Sequence, residues 1–169
     1  MKNAFKEIES DQIADNPFKL IGEDWMLITA GSMAEHNTMT ASWGGLGVLW
    51  DRHICICFVR PTRHTWQFME TAEHFTLSFF AEEHRAALAF CGSHSGRDVN
   101  KEKKTGLTPF ETDSGAVSFA QARLVIEARR IYSQDLDPQR FREPAVNEFN
   151  PAKDYHRMYI GEIVRCLAR

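Results

Sequence analysis

The chain alternates short hydrophobic stretches with glycine, proline and polar residues, a pattern typical of proteins built mainly from β-strands. Strands are expected at residues 24–30, 36–43, 54–59, 74–80, 121–130 and 155–164, with a shorter one at 48–50. Helical periodicity is confined to residues 62–70, 82–91 and 98–104. Residues 137–151, which contain prolines, are expected to form a loop with a short helical piece. The pattern therefore predicts many strands and only two or three helices.

Residue types within these strands predict which faces are buried. Residues 54–59 are apolar without alternation, which indicates a strand buried on both faces. Residues 121–130 alternate between apolar and charged side chains, so we expect a long, half-exposed strand. Residues 36–43 are rich in threonine and serine, which favours a barrel rim over the core. The glycines that follow at positions 44, 45 and 47 are expected to give tight bends.

Two of the expected helices carry signals at their ends. Thr62 is positioned to cap the first helix, because its hydroxyl can accept a hydrogen bond from a free helical amide. In the second helix, Ala86, Ala89 and Phe90 are expected to form the apolar stripe. Gly92 is expected to end that helix.

These elements predict a single domain over residues 1–169, with residues 1–20 as a peripheral segment. A chain with many strands avoids exposed sheet edges by closing its sheet. The expected fold is therefore mainly β, with a few helices, and forms a closed or nearly closed antiparallel barrel. A doubly wound parallel sheet would need a helix after nearly every strand, and the pattern supplies too few.

Composition and charge narrow the function classes. Hydrophobic residues make up 43% of the chain and charged residues 25%, close to the average of globular proteins. The net charge of −3 gives no overall attraction to nucleic acid. The sequence shows no export signal and no apolar stretch approaching the roughly 20 residues that span a bilayer, so we expect no membrane association and a cytoplasmic location. Cys55 and Cys57 are expected to point to one strand face as buried thiols.

Several sequence motifs of enzymes are missing. The sequence contains neither the phosphate loop GxxxxGK[ST] nor the dinucleotide fingerprint GxGxxG. The seven histidines form no HExxH motif and no zinc-type cluster with cysteine. His94 stands where the nucleophile elbow GxSxG needs serine. We therefore expect no metal site and no catalytic side-chain nucleophile.

Three polar segments remain as candidates for holding an anion and an aromatic ring. Residues 37–43 offer hydroxyl donors beside a glycine-rich bend, although ordinary strand threonines give the same pattern. Residues 60–65 place arginines and hydroxyls at a strand-to-helix junction, where free helical amides favour an anion; a solvated, capped loop is the alternative. Residues 91–98 have the composition of an anion-binding nest or of a plain helix stop and turn.

Five motifs follow one another along the chain. They are Asn37-Thr38-Met39-Thr40-Ala41-Ser42-Trp43, Arg60-Pro61-Thr62-Arg63-His64-Thr65, Ser78-Phe79-Phe80, Cys91-Gly92-Ser93-His94-Ser95-Gly96-Arg97-Asp98 and Asp154-Tyr155-His156-Arg157-Met158-Tyr159-Ile160-Gly161-Glu162. Together they resemble the flavin reductase-like, FMN-binding split-barrel family, in its flavoredoxin-like branch. The resemblance runs from about Trp25 to Ile163. It implies a split β-barrel, noncovalent FMN and a homodimer with flavin sites near the subunit interface.

The resemblance also implies roles for individual residues. Residues 40–43 would line the flavin, and residues 93–98 would close over it, with Arg97 as the strongest fixed charge. Arg60, Arg63 and Thr65 would help to hold the phosphate. The complete set of implied cofactor-binding residues is Asn37, Thr38, Met39, Thr40, Ala41, Ser42, Trp43, Arg60, Arg63, Thr65, Cys91, Gly92, Ser93, Ser95, Gly96, Arg97 and Asp98.

Four aromatic residues have an open assignment. Trp43 and Trp66 are candidates to wall the flavin ring or to be plain core. Tyr155 and His156 are candidates for the pocket rim, the dimer interface or an exposed strand end.

The activity implied by the resemblance is that of an NAD(P)H-dependent flavin reductase. FMN would take a hydride from NADH or NADPH and pass electrons to free flavin or another acceptor, so that the cofactor carries the chemistry. Two alternatives stay open. One is a flavoredoxin-like electron-transfer protein that serves a protein partner, and the other is an FMN-binding barrel without reductase activity.

Overall fold

A computed structural model describes residues 5–169 of the chain. The strands in this part are β1 (Lys6–Ile8), β2 (Met26–Gly31), β3 (His36–Ala41), β4 (Gly44–Leu49), β5 (Arg52–Val59), β6 (His74–Phe79), β7 (Pro109–Glu111), β8 (Val117–Phe119), β9 (Leu124–Asp135) and β10 (Arg157–Ala168). The α-helices are α1 (His64–Thr71), α2 (Arg85–Ser93) and α3 (Lys101–Thr105). Short helical turns cover Ser10–Gln12, Lys19–Glu23, Glu82–His84, Pro138–Arg140 and Pro144–Phe149.

Eight of the strands form one sheet with the order β3-β2-β6-β9-β10-β5-β4, and β1 pairs with the end of β10. Every pairing in it is antiparallel. The two ends of this order, β3 and β4, are consecutive in the chain and are joined by Ser42 and Trp43. The prediction of a mainly antiparallel β fold with few helices is confirmed. The first polar segment therefore lies at the point where the curved sheet stays open.

Both faces of β9 are buried from Leu124 to Ala128, which differs from the half-exposed strand predicted at residues 121–130. Ile126 belongs to the core enclosed by β2, β5, β6 and β10, whereas its neighbour Val125 packs on the opposite face. The β7–β8 hairpin covers that second face with Phe110 and Phe119. Glu127 is consequently only 1% exposed and accepts hydrogen bonds from hydroxyl groups of the segment that joins the two hairpin strands.

The middle of β3 is buried, so the prediction of a barrel rim is wrong there. Asn37, Thr38 and Met39 are all buried, because α1 and α2 pack on this strand. The hydroxyl of Thr38 is 2.9 Å from the hydroxyl of Thr29 on β2, which satisfies two polar groups inside the core. The two ends of β3 are partly exposed, with His36 at its start and Thr40 and Ala41 at its end.

The β4–β5 hairpin also corrects two expectations. The glycines of β4 lie in an extended strand and not in bends, and the chain turns at Trp50 and Asp51, whose φ angles are 53° and 54°. In β5, Cys55 and Cys57 are buried on one face, as predicted. Phe58 on the other face is only half-buried, so burial on both faces is wrong for this strand. That exposure leaves the Phe58 ring free to line a cavity.

The helix boundaries shift by one to three residues from the predicted ones. Arg63 is the N-cap of α1, and the hydroxyl of Thr62 donates instead to the carboxylate of Asp154 at 3.2 Å. Helix α2 continues through Gly92 and ends at Ser93.

The apolar stripe of α2 also differs from the predicted one. Leu88 and Cys91 are the buried residues of this helix, whereas Ala86 and Ala89 are exposed and Phe90 is half-buried. Helix α3 is capped by Asn100, whose side chain accepts from the amide of Lys103 at 2.7 Å.

The amino-terminal segment is tied to the sheet. Strand β1 pairs with the last residues of β10, and Leu20 and Ile21 are buried in the core. Residues 1–4 of the predicted peripheral segment lie outside the described residues. Across residues 5–169, no helix is long and apolar enough to cross a membrane.

Candidate functional site

A cavity of about 700 Å³ opens where the β3–β4 connection faces α2. Its floor is the end of β3 and its walls are Phe58 of β5 and Leu88 of α2. The Thr40 hydroxyl donates to the carbonyl oxygen of Leu88, which joins the floor to the wall. The residues predicted from the sequence that line this cavity are Met39, Thr40, Ala41, Ser42, Trp43, Arg60, Arg63, Gly92 and Ser93.

A smaller cavity of about 170 Å³ adjoins the first one. The two cavities share four lining residues, which are Thr62, Arg63, Gly92 and Ser93. The predicted residues that line the small cavity are Asn37, Arg63, Thr65, Gly92, Ser93, Ser95 and Gly96. All three polar segments of the sequence therefore meet at this pair of cavities.

The small cavity is strongly cationic. Arg63 and the buried Lys101 both line it, and neither forms an ion pair with a carboxylate among residues 5–169. Lys101 is 4% exposed, and its Nζ donates to the carbonyl oxygens of Thr38 and Cys91 at 2.6 and 2.9 Å. Burial, together with the nearby Arg63, lowers the pKa of Lys101 to about 8. Two positive charges thus face this cavity, and a small anion bound in it would neutralise them.

Two polar side chains complete the small cavity. Nδ1 of His64 is buried and has no hydrogen-bond partner within the described chain. Burial, with the positive charges of Arg97 and Lys101, lowers the pKa of His64. Asn37 donates from Nδ2 to the hydroxyl of Thr65 at 2.6 Å, which fixes both side chains at the start of α1. An orphaned ring nitrogen and free amides at a helix start are features that an anion would satisfy.

A network of charged residues lies at the mouth of the large cavity. Nη1 of Arg60 is 3.3 Å and 3.4 Å from the two carboxylate oxygens of Asp154, and its Nε is 3.3 Å from Nε2 of His156. Burial and the charge of Arg60 lower the pKa of His156 to about 4. The rings of Trp43 and His156 have centroids 5.1 Å apart, and the ring of Phe149 meets that of Trp43 edge-on at 5.6 Å.

A third cavity, of about 560 Å³, begins on the far side of Trp43. It shares Ser42, Trp43, Phe58 and His156 with the large cavity and is otherwise lined mostly by apolar residues. Trp43 and His156 therefore stand between two cavities, and His156 is placed at the pocket rim.

Four residues of the predicted set line neither the large nor the small cavity. Thr38 bonds within the core, and Cys91 is buried and contributes only its carbonyl oxygen to Lys101. Arg97 and Asp98 are exposed on the loop after α2, where Nη1 of Arg97 reaches the carbonyl oxygen of Thr62 at 3.4 Å.

Two of the aromatic candidates also lie elsewhere. Trp66 packs against the hydrophobic core, and Tyr155 donates to the side chain of Asn147.

Sequence reasoning missed several lining residues. Lys101 lies in the charged run Lys101-Glu102-Lys103-Lys104, which has the composition of a solvated helix face. The only local signal is that Asn100 and Gly106, the N-cap and C-cap residues of α3, mark this run as a short helix. The other residues of the large cavity that were not predicted to bind the cofactor are Trp25, Phe58, Thr62, Leu88, Ala89 and Asp154, although Thr62 and Asp154 lie in motifs identified from the sequence. Trp25 carries a φ of 68°, a strained value for a bulky side chain that no sequence pattern indicates.

Comparison with known proteins identifies the family to which this fold belongs. The model of the family described as "Flavin reductase like domain" matches residues 19–169. None of the curated protein sequences matches the chain.

Solved structures resemble the chain over most of its length. An FMN-binding protein from Thermus thermophilus with bound p-hydroxybenzaldehyde superposes with a TM-score of 0.70 at 17% identity, covering 97% of this chain and 82% of that one. A flavoredoxin from Methanosarcina acetivorans gives 0.67 at 17% identity, covering 97% and 76%. An NADH:FAD oxidoreductase from Streptomyces globisporus gives 0.65 at 16% identity, covering 85% and 73%. At these identities the likeness shows the fold, and the predicted split barrel is confirmed. Because the family model covers most of its sequence, the chain belongs to the flavin reductase-like family.

Proposed function

We propose that the protein binds FMN noncovalently, with the flavin ring in the large cavity and the phosphate in the small one. The observation that carries this proposal is the junction of the two cavities. A space of about 700 Å³ with aromatic and hydroxyl walls continues into a cationic space of about 170 Å³ through residues shared by both. A ligand with an aromatic head and an anionic tail matches that arrangement.

The small cavity fits a phosphate in charge and in hydrogen-bonding capacity. Arg63 and Lys101 bring positive charge, and the hydroxyl of Thr65 lies at the first turn of α1. The orphaned Nδ1 of His64 gains a partner if an anion binds there. Hydrogen bonds between a charged donor and a phosphate are stronger than neutral ones, so this end would supply much of the affinity.

The large cavity fits a flat ring with polar edges. Trp43, Phe58 and Trp25 offer aromatic surface, while Thr40 and Ser42 bring hydroxyl groups and backbone amides near the floor. Bound FMN supplies the hydride and electron chemistry, so the chain itself has to bind, orient and shield the ring from water. The side chains around the cavity suit that role.

We propose further that the protein is an oxidoreductase that uses NADH or NADPH to reduce the flavin and passes electrons to free flavin or another acceptor. Support comes from membership of the flavin reductase-like family and from the open apolar space beyond Trp43, which gives a second molecule access to the ring. The neutral His156 and the ion-paired Arg60 at the mouth present polar groups to that molecule.

The second candidate function is electron transfer to a protein partner. The observation that favours it is the exposed aromatic rim of the cavity, where Trp43 is 44% and Phe149 57% exposed. Exposed aromatic surface next to a redox site suits a transient docking interface. A flavin-binding barrel without reductase activity is the third outcome to be tested.

We also propose that a second copy of the chain covers the outer face of β4. This strand stands at one end of the sheet order, and edge strands of soluble proteins are usually covered or charged. Val48 within β4 is 68% exposed and Trp50, which follows the strand, is 61% exposed. The ring of Trp50 contacts that of Tyr132 at a centroid distance of 6.4 Å. A dimeric mass in light scattering that becomes monomeric in Trp50→Lys supports this interface, and a monomeric wild-type protein contradicts it.

The deciding experiment begins with the absorption spectrum of the purified protein and mass identification of the released cofactor. FMN is expected; a colourless protein that also fails to quench FMN fluorescence refutes flavin binding. NADH and NADPH are then mixed separately with the loaded protein without oxygen. Bleaching of the flavin band faster than for free FMN supports the reductase. Bleaching no faster than for free FMN contradicts it and leaves the electron-transfer protein and the barrel without reductase activity.

A further inference from the structure

Arg60 fixes the protonation pattern of the His156 ring. Nε of Arg60 lies 3.3 Å from Nε2 of His156. A guanidinium group has only N–H donors and keeps its charge in proteins, so Nε2 must accept this hydrogen bond and carries no proton. The single proton of the neutral imidazole is therefore on Nδ1.

The guanidinium of Arg60 is itself held in place. Its Nη1 contacts both carboxylate oxygens of Asp154, and its Nη2 donates to the carbonyl oxygen of Phe149 at 2.5 Å. These contacts leave Nε to face the imidazole of His156. The neighbouring positive charge and burial also keep that ring uncharged near pH 7. The histidine is thus a neutral group with one fixed tautomer.

Nδ1 of His156 is the free end of this arrangement. It has no hydrogen-bond partner among residues 5–169, and the side chain lines both the large cavity and the apolar cavity beyond Trp43. The ring centroid is 5.1 Å from that of Trp43, so the donor lies beside an aromatic surface. A neutral N–H next to an aromatic face suits a flat ligand that has a neutral acceptor on its edge.

We propose that His156 is a specificity-determining residue whose Nδ1–H donates to the carbonyl oxygen of an aromatic or conjugated aldehyde, ketone or carboxamide bound against Trp43. This proposal rests on the proposed function only in assuming that such a compound exchanges electrons with the flavin. A fixed N–H donor selects ligands that carry an acceptor atom on the edge facing it over ligands that carry a donor or only apolar atoms there.

The tautomer is tested directly by nitrogen NMR on the full-length protein as purified, labelled with ¹⁵N. The His156 signals are identified by their loss in His156→Gln. We expect a protonated Nδ1 and an unprotonated Nε2 that stay unchanged between pH 8 and pH 5.5. In Arg60→Gln we expect the pKa of the ring to be higher than in wild type, because a neighbouring positive charge is gone while the burial remains. A protonated Nε2, or a wild-type ring that titrates near pH 6.5, overturns the proposal.

Ligand recognition is tested with benzamide as the probe, using shifts of the Nδ1–H signal and tryptophan fluorescence to measure binding. Asn at position 156 places an amide nitrogen near the position of Nδ1, whereas Gln places it near that of Nε2. His156→Asn should bind benzamide within about twofold of wild type, and His156→Gln and His156→Phe about three- to tenfold more weakly. Equal binding by all four proteins, or none by wild type, refutes the carbonyl contact. These measurements need neither NAD(P)H nor turnover. A failure of the reductase proposal can therefore be distinguished from a failure of this one.

Discussion

Nη1 of Arg63 donates to the carbonyl oxygen of Gly92 at 2.9 Å, so that the start of α1 is tied to the last turn of α2. The two residues are 29 positions apart, in two different polar segments of the sequence. This contact satisfies a carbonyl group at a helix end and keeps one arginine nitrogen engaged, while the rest of the guanidinium lines both cavities. Through this contact, α1 and α2 together form one wall of the small cavity.

Arg63 and Arg97 should therefore differ in their effect on FMN binding. Arg63→Ala removes a half-buried charge from the cavity wall and should weaken FMN affinity about 10- to 100-fold, the range expected for a charge-assisted hydrogen bond. Arg97→Ala removes an exposed charge that lines neither cavity and should change affinity less than about threefold. Fluorescence titration with FMN measures both. A larger loss in Arg97→Ala would return that residue to the phosphate site.

Lys101 is expected to matter as much as Arg63 although it lies in an ordinary-looking charged run. Lys101→Met keeps the length of the side chain but removes its charge, and it should weaken FMN binding by about tenfold or more. Lys103→Met is the matched control, because Lys103 lies on the same helix and on its exposed side. Equal affinities of the two variants for FMN would show that Lys101 only supports the carbonyl groups of Thr38 and Cys91.

The contrast between these residues shows what local sequence can predict. The segment from Asn37 to Trp43 was identifiable because hydroxyl residues in an extended stretch before glycines are a local pattern. The role of Lys101 is set by the packing of α3 beneath β3 and α2, which no local pattern encodes. The sequence therefore predicts which segments form the site, but it does not predict which individual side chains point into the cavities.

The burial of β9 also depends on residues outside the strand, which is why the prediction of a half-exposed strand was wrong. Its alternation of apolar and charged residues correctly indicates a strand, and Ile126 and Ala128 do face the core. Its other face is covered by β7 and β8, which are three residues each and too short to show a period. Glu127 is buried by Thr112 and Ser114, which lie 15 and 13 positions earlier in the chain, outside the strand itself. When only the neighbours within the strand are considered, the charge of its side chain predicts exposure.

Gly96 leaves no room for a side chain at the small cavity. A Cβ there would lie 1.9 Å from Oδ1 of Asn37, which is buried and bonded to Thr65. Gly96→Ala should displace Asn37 and weaken FMN binding about tenfold, and loss of the hydrogen bond between Asn37 and Thr65 should also lower the free energy of unfolding by about 1 kcal/mol. Gly22→Ala is the control, since a Cβ at that position meets nothing within 4 Å. FMN titration of the two variants checks the expectation, and equal affinities would contradict it.

Gly161 is expected to be needed for stability and not for binding. A Cβ there would lie 2.7 Å from Cβ of Ala128 and 2.7 Å from Cζ of Phe75, both in the packed core. Gly161→Ala should lower the free energy of unfolding by about 1–3 kcal/mol, the usual cost of overpacking. Gly47→Ala, where a Cβ meets nothing within 4 Å, should change it by less than about 1 kcal/mol. Urea unfolding of both variants without FMN measures the difference, and a stable Gly161→Ala protein would mean that the strands move apart.

The pH dependence of FMN binding follows from Lys101. Burial lowers the pKa of Lys101 to about 8 in the free protein, and a bound phosphate would raise it again by attraction. The protonated lysine binds the anion better, so affinity is highest below pH 8 and falls as the lysine of the free protein loses its proton. The FMN phosphate is already fully charged well above its second pKa of about 6, so its own charge stays constant in this range.

The dissociation constant of FMN should therefore be flat from about pH 7 to 7.5 and rise roughly tenfold by pH 9. Lys101→Met binds more weakly throughout, but its profile should be flat, because the titrating group is gone. Lys101→Arg keeps its charge to much higher pH and should also stay flat, at an affinity set by how well the larger guanidinium fits. FMN fluorescence titrations across this range measure all three. Parallel profiles for wild type and Lys101→Met would show that another group causes the loss and would remove Lys101 from contact with the phosphate.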